Sequence, residues 1–192
     1  MVISTLASAG VEYSKEANDW FTKYLKSEAK LVKFLPGSME YRKTDVHTEE
    51  KLIQDEQLPI VYQDECAVAL ANQSSIDDLN SRLTKENQVS YLNFRPNILV
   101  RATGAFVEDS WKDLQLGSAH LSLSKPCHRC TTTTTVMERG VKNADFEPLE
   151  TLRKYRVNGQ WSHLYSNSPI FGLSLSPKVN GTVKVGDQVV LL

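Results

Sequence analysis

Apolar side chains at Ala17, Trp20, Phe21, Tyr24 and Leu25 recur at i, i+3, i+4, i+7 and i+8 behind Ser14, a residue type that caps helices by accepting from an orphan amide. The spacing predicts a core-facing amphipathic helix over 14–27. Leu31-Val32-Lys33-Phe34 then reads as a strand stopped by Pro36-Gly37, and the polar stretch from Ser38 to Gln57, which lacks periodicity, reads mostly as loop. Two apolar runs, Pro59 to Tyr62 and Ala67 to Ala71, have the length of buried strands, with the turn-like Gln63-Asp64-Glu65 between them. A second helix is predicted over 74–85, because Ile76, Leu79 and Leu83 share a face and Ser74 and Asp77 stand at capping-box spacing. It exits through Thr84-Lys85-Glu86-Asn87 towards Asn93-Phe94-Arg95-Pro96-Asn97, where proline bars a helix and holds Arg95 extended.

From Ile98 the rhythm shortens into β segments: Ile98 to Ala102, His120 to Ser124, and the run Thr131 to Thr135 into Val136, threonine favouring strands through its branched Cβ. One helix interrupts them, with Pro148 in its first turn and Leu149, Leu152 and Tyr155 as its buried stripe. Residues 181–192 read as two strands about a Gly186-Asp187 turn. The pattern predicts a mixed α+β class, a β-barrel with helices packed around it. It divides the chain into an N-terminal α+β part, residues 1–87, and a core β-rich part, residues 88–192.

Composition narrows the function classes. At 192 residues and 41% hydrophobic content the chain can fill one core. Its 22 basic and 23 acidic residues nearly cancel, so no global field draws nucleic acid or an anionic membrane, and any anion site must be local. Three cysteines, Cys66, Cys127 and Cys130, are no disulfide framework, and the opening residues lack a secretory pattern, so a reducing compartment is expected. No apolar run approaches the roughly 20 residues of a membrane helix. A soluble chain is expected, with any anchor outside these residues.

The sharpest chemical feature is Lys125-Pro126-Cys127-His128-Arg129-Cys130, a C-x-x-C with two basic-capable residues between its thiols. A zinc site would need two further ligands, and His120 and His163 belong to no second paired motif. A thioredoxin-like dithiol would start a helix at its first cysteine, whereas this motif runs into five threonines. The third reading is a pair of small buried thiols at a strand entrance, with Cys66 a core residue of its own apolar strand. Against these, Arg129 and His128 would favour the thiolate of Cys130, the ligand a soft, high-valent metal centre requires. Arg95, in the turn fixed by Pro96, could take a phosphate with two parallel hydrogen bonds or staple a loop through carbonyls. The residues by themselves leave these alternatives open. Trp20, Trp111 and Trp161 read as packing, and Ser166-Asn167-Ser168-Pro169 as a turn. No P-loop, Rossmann fingerprint, His-Glu-x-x-His or G-x-S-x-G is present.

Asn93-Phe94-Arg95-Pro96-Asn97-Ile98, Glu108-Asp109-Ser110-Trp111, Cys127-His128-Arg129-Cys130, Glu147-Pro148-Leu149-Glu150-Thr151-Leu152, Ser168-Pro169-Ile170-Phe171-Gly172 and Val185-Gly186-Asp187 follow one another in an order that resembles the MOSC domain of the amidoxime-reducing component family. The helix Asp78-Leu79-Asn80-Ser81-Arg82-Leu83 is similar too, so the resemblance covers essentially all of the chain after the first dozen residues. It implies a MOSC-type barrel, with 1–87 as the N-terminal part of the MOSC region and 88–192 as its core. It also implies molybdenum cofactor, a pterin dithiolene bearing a phosphate, with Cys130 as the molybdenum ligand and Cys127, His128 and Arg129 as the loop approaching metal and pterin. Arg95 would help hold the anionic cofactor, and Asn97 and Asn72 would line the pocket. The implied activity is two-electron reduction of N-hydroxylated compounds such as amidoximes, with electrons from NADH through cytochrome b5 and its reductase, at the mitochondrial outer membrane facing the cytosol. The family's N-terminal β-rich region with its Tyr-Pro-x-Lys-Ser motif has no counterpart in these residues. Two alternatives share the fold: the MOSC domain of a molybdenum cofactor sulfurase, which works beside a pyridoxal-phosphate-dependent domain, and a non-catalytic binding module.

Overall fold

The computed structural model describes residues 10–35, the backbone of 42–43, then 59–63, 66–157, 165 and 168–192. His163, Trp161, Ser166, Asn167, Asp64, Glu65 and most of the expected 38–57 loop lie outside the described residues.

Strand β1 (Val11–Glu12) and strand β2 (Val32–Lys33) form an antiparallel ladder that brackets helix α1 (Lys15–Leu25). Ser14 caps the helix as expected, its Oγ accepting from the Ala17 amide at 3.1 Å. The helix ends at Lys26 in the left-handed region. The expected burial of its apolar stripe is overturned: α1 has no buried residue, and Trp20 is 58% exposed. Trp20 stacks on Tyr24 of its own helix with ring centroids 5.2 Å apart. Within the expected 38–57 loop, strand β3 (Arg42–Lys43) pairs with β4 (Pro59–Ile60).

The rest builds one six-stranded sheet. Its strands are β5 (Val68–Asn72), β6 (Ile98–Val100), β7 (Asp113–Leu116), β8 (Ala119–His128), β11 (Ile170–Val179) and β12 (Val189–Leu191); β9 (Thr135–Val136) and β10 (Val141–Lys142) form a separate ladder. The order is β12-β7-β8-β11-β5-β6, antiparallel throughout except for the parallel pair β5–β6. Register shifts between β8 and β11 bend these two ten-residue strands, and the sheet curls into a half-barrel. The mixed α+β class is therefore borne out. One apolar cluster, including Leu70, Trp111, Leu121, Leu123, Leu173 and Leu175, fills one side of the sheet. A second, Ile76, Leu79, Phe94, Leu152 and Phe171, joins helices α2 (Gln73–Arg82), α3 (Tyr91–Phe94) and α4 (Leu149–Arg156) to β11.

Several local expectations are corrected. Helix α2 is capped by Asn72, whose Oδ1 accepts from the Ser74 amide at 3.0 Å, while the Ser74 hydroxyl donates to the Ala102 carbonyl; the expected Ser74–Asp77 box is not formed. Pro96 does not bar a helix but terminates one, since Ser90 and Asn93 form a capping box for the single turn α3. Arg95 is accordingly left-handed (φ 52°) rather than extended, donating its amide to Tyr91 as the helix C-cap. Thr131–Thr134 form a 3₁₀ turn instead of a strand, because each following hydroxyl bonds back: Thr133 to the Cys130 carbonyl, Thr134 to that of Thr131 and Thr135 to that of Thr132. Local hydroxyl bonds thus outweigh the β-preference of the branched Cβ. Cys66 lies in a half-buried bend before β5, not in a strand. Of the expected C-terminal hairpin only β12 forms, and it pairs with β7. Its turn is present, the Lys184 amide donating to the Asp187 carboxylate at 2.8 Å.

Candidate functional site at the end of strand β8

Strand β8 delivers Lys125, Pro126, Cys127 and His128 to its far end, and Arg129 and Cys130 follow directly. The Arg129 amide donates to the Pro169 carbonyl at 2.8 Å, keeping the departing chain against the start of β11. Its guanidinium is buried, 8% exposed, and turns inward. Nε and Nη2 both donate to the Phe171 carbonyl, at 2.8 and 2.7 Å, and Nη1 donates to the Phe94 carbonyl at 3.0 Å. The planar fork suits this double duty in a way an ammonium could not. Gly172 lies beside it: at φ +76° an added Cβ would be in ordinary contact with Arg129 Nη2, at 3.4 Å, but would clash with the Leu70 carbonyl oxygen, at 2.3 Å.

Cys130 is exposed at the start of the 3₁₀ turn, its thiol donating to Thr132 Oγ1 at 3.3 Å. The turn is tied to α3 through Asn93, whose buried side-chain amide donates to the Thr133 and Thr135 carbonyls at 3.1 and 3.0 Å. Arg95, exposed, directly follows Phe94. Cys130 and Arg95 therefore flank, one residue away on either side, the same Arg129–Phe94 bond. Lys142 adds a second cation, its Nζ donating to Thr131 Oγ1 at 2.8 Å. Behind the loop the His128 ring stacks on Tyr165 with centroids 4.8 Å apart, and Cys127 is half-buried.

The two asparagines lie elsewhere on the sheet. Asn97 clamps Ala69, accepting the Ala69 amide on Oδ1 at 2.8 Å and donating its own amide to the Ala69 carbonyl at 2.8 Å. Asn72 is fully buried, its amide donating to Glu108 Oε2 at 2.8 Å and to the Gly104 carbonyl at 3.0 Å. A cavity of about 400 Å³ runs along the other residues of α3 and the threonine turn, touching Ser90, Asn93, Thr134 and Met137 but neither Cys130 nor Arg95.

Among the described residues no group of three or more His, Cys, Asp or Glu side chains is placed to hold a metal ion. The site offers instead one accessible thiol, neighbouring hydroxyls and flanking cations. That set suits a centre that brings most of its own ligands and carries negative charge. Sequence reasoning passed over Thr132, Lys142 and Gly172. Only Gly172 carried a local signal, a glycine inside an apolar strand marking close backbone approach.

A half-barrel that ends one strand in an accessible cysteine and braces it on an inward arginine defines the class: the chain belongs to the MOSC domain family, whose model matches residues 57–190. Within the proteins of that kind it is 37% identical over 184 residues to mitochondrial amidoxime reducing component 2 of Homo sapiens, covering 94% of this chain and 52% of that protein. It is 37% identical over 185 residues to mitochondrial amidoxime-reducing component 1 of Homo sapiens, covering 95% and 53%. To component 2 of Bos taurus it is 35% identical over 182 residues, covering 94% and 52%. The chain spans about half the length of these relatives. No helix among the described residues is long and apolar enough to cross a membrane.

Proposed function

We propose that the chain is the cofactor-bearing half of a molybdenum-dependent reductase of N-hydroxylated compounds such as amidoximes. The observation that carries this is the placement of the exposed Cys130 thiol beside Thr132, on a loop braced against the turn that presents Arg95. The names of the relatives, amidoxime reducing components, supply the reaction class.

In this reading Cys130 supplies the thiolate to molybdenum, and the molybdenum cofactor supplies the two-electron redox chemistry when bound. Arg95 offers the pterin phosphate a planar pair of donors, with Lys142 adding charge nearby. Cys127 and His128 complete the wall behind the loop, whereas Asn97 and Asn72, tied to Ala69 and to Glu108, serve the β5–β6 framework and not the pocket. Electrons come from NADH through cytochrome b5 and its reductase, and the protein works at mitochondria, as the relatives' names suggest.

The test is metal content followed by turnover. The chain, produced in a host that makes the cofactor, should carry molybdenum that Cys130→Ser removes. Metal that survives Cys130→Ser would overturn the ligand assignment. Benzamidoxime reduction in the presence of cytochrome b5 and its reductase then reads the activity. A metal-loaded chain that turns over no N-hydroxylated substrate would overturn the reductase reading.

A further inference from the structure

We infer that Arg129 is a positioning residue: its guanidinium touches no ligand and serves to fix the Cys130 thiol relative to Arg95. The inference rests on the proposed site but concerns only this chain's own bonds. All three guanidinium hydrogen bonds end on backbone carbonyls, two on Phe171 and one on Phe94. Each carbonyl belongs to a different piece of the site. Phe94 is the last residue of α3 and precedes Arg95, whereas Phe171 lies in β11, the strand that β8 rides on.

The geometry makes the arginine a joint between three segments. Its own amide anchors the loop to Pro169, its Nη1 reaches α3, and its Nε–Nη2 edge grips Phe171. The guanidinium also lies 5.4 Å from the centroid of the Phe94 ring, which stacks on the Phe171 ring at 4.2 Å. The cation is therefore enclosed by the two residues whose carbonyls it binds. Gly172 lies beside the same joint, where an added Cβ would only touch Nη2 and would collide with the Leu70 carbonyl of the neighbouring strand. Three of its five N–H groups are spent on carbonyls and the side chain is buried, 8% exposed, so Arg129 is poorly placed to clamp a phosphate as well. Arg95 and Lys142 remain for that work, so the positive charge of the motif is divided between bracing and binding.

The experiment compares wild type with Arg129→Lys, which keeps charge but loses the fork. In the chain without cofactor, iodoacetamide labelling of each cysteine is followed by peptide mass spectrometry at fixed pH, far below the unfolding midpoint. The expected result is a several-fold change in the rate at Cys130, with Cys66 unchanged. In chain produced with cofactor, molybdenum affinity should fall about tenfold, the scale of losing an outer-shell partner. Wild-type labelling together with wild-type metal would overturn the inference. So would metal loss with unchanged Cys130 labelling, which would make Arg129 a direct ligand of the cofactor.

If Arg129→Lys does not fold, native-state hydrogen exchange of the unaltered chain replaces it. The amides of Arg95, Arg129 and Thr133 should open with one common dependence on urea. Opening of Arg95 at lower urea, with Arg129 and Thr133 still protected, would overturn the joint. A wild-type chain that holds no molybdenum, with the labelling change still seen in Arg129→Lys, would refute the cofactor reading and leave the bracing role standing.

Discussion

Helix α1 and the Cys130 loop are opposites. The helix has the cleaner periodicity, a satisfied cap and a left-handed stop, yet its contacts are local and its apolar stripe faces out. Its ion pair Lys15–Asp19, and the pair Lys30–Glu12 beside it, join exposed side chains, a kind of pair worth little. The Cys130 loop has no periodicity, but it is tied by buried bonds to residues 35 and 42 positions away in sequence. Regular backbone satisfies itself and can stand where little packs on it. Irregular backbone must find its partners in side chains, so an irregular site is held only where the fold brings distant segments together.

The sharpest way to break this contrast is at Gly172. Gly172→Ala combines a left-handed backbone with a Cβ 2.3 Å from a carbonyl oxygen in the neighbouring strand. It should cost about 4 kcal/mol by urea denaturation, among the largest single-residue effects expected of any protein. A cost below about 1 kcal/mol would mean that β11 relaxes freely away from β5 at this position. Next comes Glu108, fully buried, whose carboxylate accepts from Asn72 and from Ser75 Oγ at 2.6 Å. Glu108→Ala strands both donors and should cost about 3 kcal/mol, with Glu108→Gln losing less because one acceptor oxygen remains. Equal losses from the two would show that the second acceptor oxygen, and not the bulk of the side chain, sets the stability.

The same contrast explains what the sequence made legible. The positions of α1 and α4 and of the sheet strands β5, β6, β8 and β12 follow from period, propensity and residue type. Arg129 carried no sign of its role, because neither Phe94 nor Phe171 is near it in the chain and a carbonyl acceptor has no residue identity. Of the phosphate-or-staple alternatives weighed for Arg95, stapling through carbonyls is done by a different arginine, Arg129. The threonine run misled because its hydroxyls bond back three residues, a competition that residue preference alone does not show. Glu108 gave no signal either, since a buried carboxylate looks like a surface one until its donors are known.

Two carboxylates sharpen the comparison more gently. Asp113, on β7, is held below its ordinary pKa by the Ser122 hydroxyl, by Lys178 and by His120, which together outweigh its partial burial. Glu12, beside α1, is held low chiefly by its hydrogen bond to Lys30, with both side chains largely exposed. A depressed folded pKa stabilises above the unfolded value, and that stability is lost as pH falls through the folded one. Urea midpoints measured downward from about pH 5 should therefore decline less steeply in Asp113→Asn than in wild type. Glu12→Gln should leave the acid limb unchanged at moderate salt, where an exposed pair is screened. An acid limb flattened by Glu12→Gln and not by Asp113→Asn would reverse the ranking of the two regions.

The smallest expected effect tests the exposed side of the contrast. Trp20 touches Phe21 edge-on with ring centroids 4.9 Å apart and stacks on Tyr24, so among the described residues its ring partners lie on its own helix. Trp20→Ser removes those local contacts while leaving the Ser14 cap, the Lys26 stop and the Thr22–Ala29 bonds in place. The cost should be about 0.5 kcal/mol, with the far-ultraviolet circular dichroism of the helix retained. Leu152→Ala, in the cluster that α4 shares with β11, should cost several times as much, about 2–4 kcal/mol, because it opens a cavity where nothing else can fill the space. If Trp20→Ser costs as much as Leu152→Ala, the stripe is covered in solution and periodicity had marked a buried face after all. If the ratio holds, an amphipathic pattern is evidence of a helix, and its burial is a separate property that only the surrounding fold supplies.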